Sequence, residues 1–113
     1  MSTEETTIAR DELADAIASG AVAVLDAQGA GWFERERLPG AIRARPQDLA
    51  GLERRLPAGK RTPVVVYCWS ETCVASEWTA QHLVELGYRH IRRYVGGKLD
   101  WMRAGLPVEG EGE

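Results

Sequence analysis

Two cysteines, Cys68 and Cys73, bracket the tetrapeptide "WSET" in "VVVYCWSETCVASEW", residues 64–78. The stretch passes from a β-branched run to helical spacing, so Cys68 closes a strand and a helix opens a few residues later. A thiol in that place faces unpaired backbone N–H groups and the positive end of a helix dipole. Such a field stabilises a thiolate and can bring a cysteine pKa from about 8.5 toward neutrality, which makes the group a nucleophile. It would hold a persulfide or a bound oxyanion equally well. Cys73, in the first turn of the expected helix, either packs there or faces the loop as a candidate resolving thiol. The bland alternative for both is a small core hydrophobe, since free cysteine is among the most buried residue types.

Other residues that do chemistry offer less. Two cysteines with no second pair and no adjacent histidines cannot complete the four ligands of a structural zinc, so no metal and no cofactor is expected. His82 lies nine positions beyond Cys73, about 13 Å along a helix, too far to serve as the base for Cys68. His90 opens a later strand, at the opposite edge of a parallel sheet. Of the tryptophans, Trp78 and Trp101 fit inward helix positions, and Trp69, inside the loop, is placed to line a pocket mouth. Arg35 and Arg37, in a long loop that follows a strand, are candidates for the pocket rim. Arg54, Arg55, Arg92 and Arg93 read as solvated faces.

The elements that must position Cys68 follow from periodicity and breakers. A short edge strand at 6–9 precedes a helix at Arg10–Ser19, with Gly20 as its C-cap. "AVAVLDA" (21–27) has the length and continuous apolarity of a strand covered on both faces. An irregular loop, 28–40, leads to a short strand at 41–44 and a proline-opened helix at 46–56, which Gly51 weakens. "PVVVYC" (63–68) is the clearest strand and should be central. A helix at 74–86, with apolar positions Val74, Trp78, Leu83 and Leu86, a strand at 90–95 and a short helix at 98–104 complete the pattern. Alternating strands and helices imply an α/β fold, a mostly parallel sheet flanked by helices on both faces. Ligands of such sheets bind beyond the C-terminal ends of the strands, where Cys68 sits.

The chain of 113 residues reads as one domain, with its core at about 6–108 and an acidic, glycine-rich tail, 109–113, expected to fray. A net charge of -3 argues against nucleic acid as a partner. Apolar runs such as "AVAVL" are far short of the ~20 residues of a membrane span. The acidic N-terminus lacks the pattern of a secretory signal, so a cytoplasmic location and free thiols are expected.

Several blocks together resemble the single-domain rhodanese-like proteins: "VLDAQ", "LPGAI", "VVVYCWSETC", "LVELGY" and "VGGKLDWMRAGLPV". Their order and spacing match throughout. The resemblance implies a parallel sheet of about five strands and a sulfurtransferase in which Cys68 takes a sulfane sulfur, becomes a persulfide and passes the outer sulfur to a thiol or cyanide. The partners so implied are a small sulfur donor, a thiol acceptor or a sulfur-relay protein. The loop amides of Trp69, Ser70, Glu71, Thr72 and Cys73 would cradle the persulfide. Its six positions match the sulfur-transferring members and not the longer loop of the related phosphatases. Two departures stand out. Where relatives often have Asp-x-Arg, Asp26 is followed by Gln28, and where many carry a basic residue in the loop, this chain has Glu71, which should weaken binding of a dianion such as thiosulfate. Two other classes of function stay open: a thiol redox or sulfur-carrier module built on a Cys68–Cys73 pair, and a non-catalytic interaction domain of the same fold.

Overall fold

The computed structural model describes residues 6–110; the acidic start of the chain and the last three residues of the expected tail lie outside them. Five strands, β1 (Thr6–Thr7), β2 (Ala23–Asp26), β3 (Ile42–Arg43), β4 (Val64–Tyr67) and β5 (Ile91–Tyr94), form one sheet. All pairings are parallel, in the spatial order β1, β5, β4, β2, β3. The α-helices are α1 (Arg10–Ser19), α2 (Ala30–Arg35), α3 (Ala75–Glu85) and α4 (Gly97–Arg103).

Why β4 lies in the middle is visible in its side chains. Val64 and Val66 join one buried cluster with Leu25, Ala80, Leu83 and Ile91, while Val65 and Tyr67 join the other with Leu13, Val24, Tyr94 and Trp101. A strand covered on both faces has no polar alternation to show. The α/β architecture expected from the sequence is the one observed, with helices on both faces.

Three local expectations are corrected. The stretch 28–40 is not all loop: it contains α2, a helix of six residues and so too short for apolar periodicity to reveal. The expected helix at 46–56 is instead two 3₁₀ segments, Pro46–Asp48 and Leu52–Arg55, because Gly51 between them adopts φ +78°. The inner face of α3 carries Ser76, Thr79, Ala80 and Leu83, whereas Trp78 is 58% exposed and Val74 and Leu86 also face outward. Small residues let α3 lie close to the sheet, near enough for the Thr79 hydroxyl to donate to the Ala44 carbonyl at 3.0 Å. Trp101 is buried as expected, its indole N–H donating to Pro107 O at 2.8 Å.

The start of the expected tail is also held. Glu109 forms an antiparallel bridge with Arg37, through N···O distances of 2.9 and 2.8 Å, and its carboxylate accepts the Gly40 amide at 3.0 Å. Among the described residues no helix is long and apolar enough to cross a membrane.

Tyr67, Tyr88 and Tyr94 are buried, and each is held above its ordinary pKa of 10.0, first by burial and then by a carboxylate: Asp26, Glu53 and Asp100 respectively. A phenol whose folded pKa is raised contributes stability that is complete below the unfolded pKa and is lost as pH rises through the folded one. The window therefore opens at about pH 10. Urea unfolding should show the wild type losing ground to Tyr94→Phe above that pH, by about 1.4 kcal/mol per pH unit for one proton. A stability difference that stays constant with pH would contradict the assignment.

Candidate active site

At the C-terminal end of β4 the chain leaves the sheet at Cys68, which is 3% exposed, and the loop runs to α3. The carbonyls of Cys68 and Trp69 accept the amides of Lys98 and Leu99, both at 2.9 Å, so the first turn of α4 supplies donors that a helix start leaves free. This contact needs Gly97. Its φ is +71°, and a Cβ there would stand 2.6 Å from the Cys68 carbonyl oxygen and 2.9 Å from the Ser70 nitrogen.

The rest of the loop closes on itself. Cys73 N–H donates to Ser70 O at 3.1 Å, Thr72 N–H to Ser70 Oγ at 3.4 Å, and the Ser70 and Thr72 hydroxyls bond each other at 3.0 Å. The amides of Thr72 and Cys73, expected to cradle a persulfide, are thus engaged within the loop. Cys68 and Cys73 are joined by a disulfide, with their Cα atoms 6.2 Å apart, so the expected pair of free thiols gives way to a cystine. That separation lies within the reach of such a bond.

Beside the cystine is a cavity of about 540 Å³. Cys68, Trp69, Cys73 and Ala75 line it from the loop and α3, while Ala27, Gln28, Gly29, Trp32 and Arg45 line it from beyond β2 and β3. All of these follow the C-terminal ends of parallel strands, where open α/β sheets bind ligands. Ser70, Glu71 and Thr72 are not part of the lining, and Glu71 is exposed. Water therefore screens the Glu71 carboxylate, which weakens the case for repulsion of a dianion.

The two arginines expected at the rim do not line the cavity. Arg35 lies over the Trp32 ring, 5.7 Å from its centroid, and Arg37 lies over Phe33 at 4.7 Å while donating to the Phe33 carbonyl at 3.1 Å. Arg45 is the arginine that lines it. Arg45 is not among the residues expected at the site, although its place just after a short parallel strand is the same signal that marks Cys68. His82 and His90 are exposed, and His82 Nδ1 is 2.9 Å from the Trp78 carbonyl oxygen.

Beneath the cavity, the buried Asp26 carboxylate accepts the Tyr67 hydroxyl, the Gln28 amide N–H at 2.7 Å and the Gln28 side-chain N–H at 2.9 Å. Tyr67 in turn accepts the Leu38 amide at 3.0 Å, tying β4 to the far end of the 28–40 stretch. Burial raises the Asp26 pKa, against the opposing effect of these donors. Gln28 thus serves, by hydrogen bonds, the carboxylate that an arginine two positions on would meet as an ion pair.

Lys98, also missed, is completely buried. Its ammonium donates to the Glu36 carbonyl at 3.1 Å, lies 3.7 Å from the Glu36 carboxylate, and stands 5.0 and 6.0 Å from the ring centroids of Trp69 and Trp32. Burial pushes its pKa down, and the charges of Glu36 and Asp26 push back. One cation therefore holds together the two rings that wall the cavity, whose centroids are 6.1 Å apart.

The family model described as "Rhodanese-like domain" matches residues 9–104. The chain belongs to the rhodanese-like domain family. It is 29% identical over 80 residues to a thiosulfate sulfurtransferase GlpE of Coxiella burnetii, covering 71% of both chains. It is 30% identical over 105 residues to the HTH-type transcriptional regulator Rv0324 of Mycobacterium tuberculosis, covering 93% of this chain and 45% of that one. Among solved structures, the BH2092 protein of Bacillus halodurans superposes with a TM-score of 0.83 at 21% identity, over 96% of this chain and 79% of that one.

In this rhodanese-like domain the loop carrying Cys68 rests on Gly97, which makes a comparison of two glycines informative. Gly20 has the same φ of +71° but nothing within 4 Å of an added Cβ. Gly20→Ala should therefore cost only conformational strain, about 1–2 kcal/mol. Gly97→Ala adds a backbone clash and should cost roughly 3–5 kcal/mol in urea unfolding. Equal costs would show that the loop does not depend on this approach.

Proposed function

We propose that this rhodanese-like domain is a sulfurtransferase with Cys68 as its nucleophile. The observation that carries the reading is the meeting of Cys68 with a cavity at the C-terminal edge of the sheet, in a loop anchored by α4. The similarity to proteins named thiosulfate sulfurtransferase supports it.

The reaction starts from the reduced chain. The Cys68 thiolate attacks the outer sulfur of a sulfane donor, an Sγ–S bond forms, the donor's S–S bond breaks, and the donor's remainder leaves with the electron pair. With thiosulfate the leaving group is sulfite. An acceptor thiolate then attacks the outer sulfur of the Cys68 persulfide, takes it as its own persulfide and returns Cys68 as thiolate. Loop amides released from Ser70 on reduction would stabilise the negative persulfide.

A second reading rests on the disulfide. Cys73 can attack Sγ of a Cys68 persulfide, forming the cystine and expelling hydrosulfide, after which an external dithiol must reduce the pair. In a reducing cytoplasm such a cystine would be transient, the oxidised stage of a thiol-linked cycle.

Intact mass separates these steps. Reduced wild type given thiosulfate or a thiosulfonate should gain about 32 Da, one sulfur, and Cys68→Ser should gain nothing. Cys73→Ser should keep the adduct and hold it longer, because the resolving attack is gone. An adduct that survives in Cys68→Ser, or one that requires Cys73, would overturn the assignment; loss of about 2 Da on mild oxidation without any adduct would favour the redox reading alone.

A further inference from the structure

Lys98 is completely buried, yet it does not line the cavity beside Cys68. Its ammonium meets two rings that do, standing 5.0 Å from the Trp69 centroid and 6.0 Å from that of Trp32. Those rings stay largely in water. Trp32 is 55% exposed and Trp69 40% exposed, although a cavity of about 540 Å³ opens beside both. An indole free to turn would gain by leaving water for that space, because removing apolar area from water is favourable. Something must hold the rings out.

Lys98 is placed to do so. Glu36, at the C-terminal end of α2, fixes the ammonium, its carbonyl accepting at 3.1 Å and its carboxylate lying 3.7 Å away. The backbone amide of Lys98 binds the Cys68 carbonyl at 2.9 Å. One residue thus grips two consecutive positions of the loop, Cys68 through its backbone and Trp69 through its charge. A cation stripped of water attracts a ring face more strongly than a hydrated one. Arg35 also stands over Trp32, at 5.7 Å, but it is exposed, and water competes with the ring for its charge.

We infer that Lys98 is a strut: its ammonium holds Trp32 and Trp69 at the cavity wall and so keeps Cys68 open to reagents bulkier than a bare sulfur chain. Lys98 is a positioning residue, acting through the two rings. Without the cation the indoles turn inward, fill the cavity and cover the thiol. The use of the opening rests on the sulfurtransferase reading, in which the strut decides how large a donor or acceptor reaches Cys68.

Two alkylating reagents that share one electrophile, iodoacetamide and its N-adamantyl derivative, measure access without any sulfur transfer. Rates are followed by intact mass in the reduced Cys73→Ser chain, where Cys68 alone reports, and the bulky-to-small ratio is normalised to the same chain in urea. The normalised ratio should lie within about threefold of unity in that parent and fall roughly tenfold or more when Lys98→Met is added, the scale of one desolvated cation–π contact. Methionine keeps the length and the apolar stem of the side chain, so the buried space stays filled. Adding Trp32→Ala and Trp69→Ala to Lys98→Met should bring the ratio back to within about threefold of the parent, because the rings that fall inward are gone. A merely loosened fold would raise both rates and leave the ratio near unity. That result, or no rescue on removal of the rings, overturns the proposal. Should Lys98→Met fail to fold, the reduced wild type decides by NMR: nuclear Overhauser contacts from the Lys98 ε-methylene to both indoles are expected, and their absence from either ring overturns the strut. Access that changes as stated in a chain forming no Cys68 sulfur adduct overturns the sulfurtransferase reading and leaves the strut; an adduct with an unaltered ratio does the reverse.

Discussion

The amides of Lys98 and Leu99, in the first turn of α4, hold the carbonyls of Cys68 and Trp69, and the candidate site depends on that contact. A buried carbonyl at the point where a strand leaves its sheet has lost its ladder partners and must find another donor. The first turn of a helix has donors to spare. Bringing the two backbones together requires a residue without Cβ at the crossing, and Gly97 is that residue. The backbone of Cys68 is thereby fixed between the central strand and α4. The remainder of the loop is tied only to itself, which allows Cys73 to reach Cys68.

Much of this frame was legible in the sequence because it rests on local chemistry. "PVVVYC" reads as the clearest strand, expected at the centre, and the rule that parallel sheets bind at their C-terminal edges places Cys68 at the site before any geometry is known. The family blocks add the topology. What was not legible depends on tertiary context. The size and spacing of Trp78 point inward, yet α3 approaches the sheet through Ser76, Thr79 and Ala80 and turns the indole to solvent. Lys98 is buried by rings and a carboxylate more than twenty residues away in sequence, and no periodicity signals an ammonium in such a place. Arg35 and Arg37, in the stretch 28–40, lie over Trp32 and Phe33 and not at the rim.

The site separates its structural charges from those available to a ligand. Asp26 is occupied by Tyr67 and Gln28, and Lys98 by Glu36 and the two tryptophan rings. Each buried charge has partners, as burial demands. Arg45 Nε and Gln28 Oε1 are buried without a hydrogen bond, and both residues belong to the cavity wall. The disulfide ties up the sulfur that is proposed to act as nucleophile.

The central claim is that Cys68, once reduced, is an activated thiolate in an anchored loop. Its most direct test is the pH dependence of Cys68 alkylation by iodoacetamide, followed by mass spectrometry in the reduced Cys73→Ser chain so that only one thiol reports. The account predicts a rate profile with its inflection at about pH 7 or lower, against about 8.5 for an unperturbed cysteine. An inflection at or above about 8.5 would contradict it and leave Cys68 as a buried structural residue.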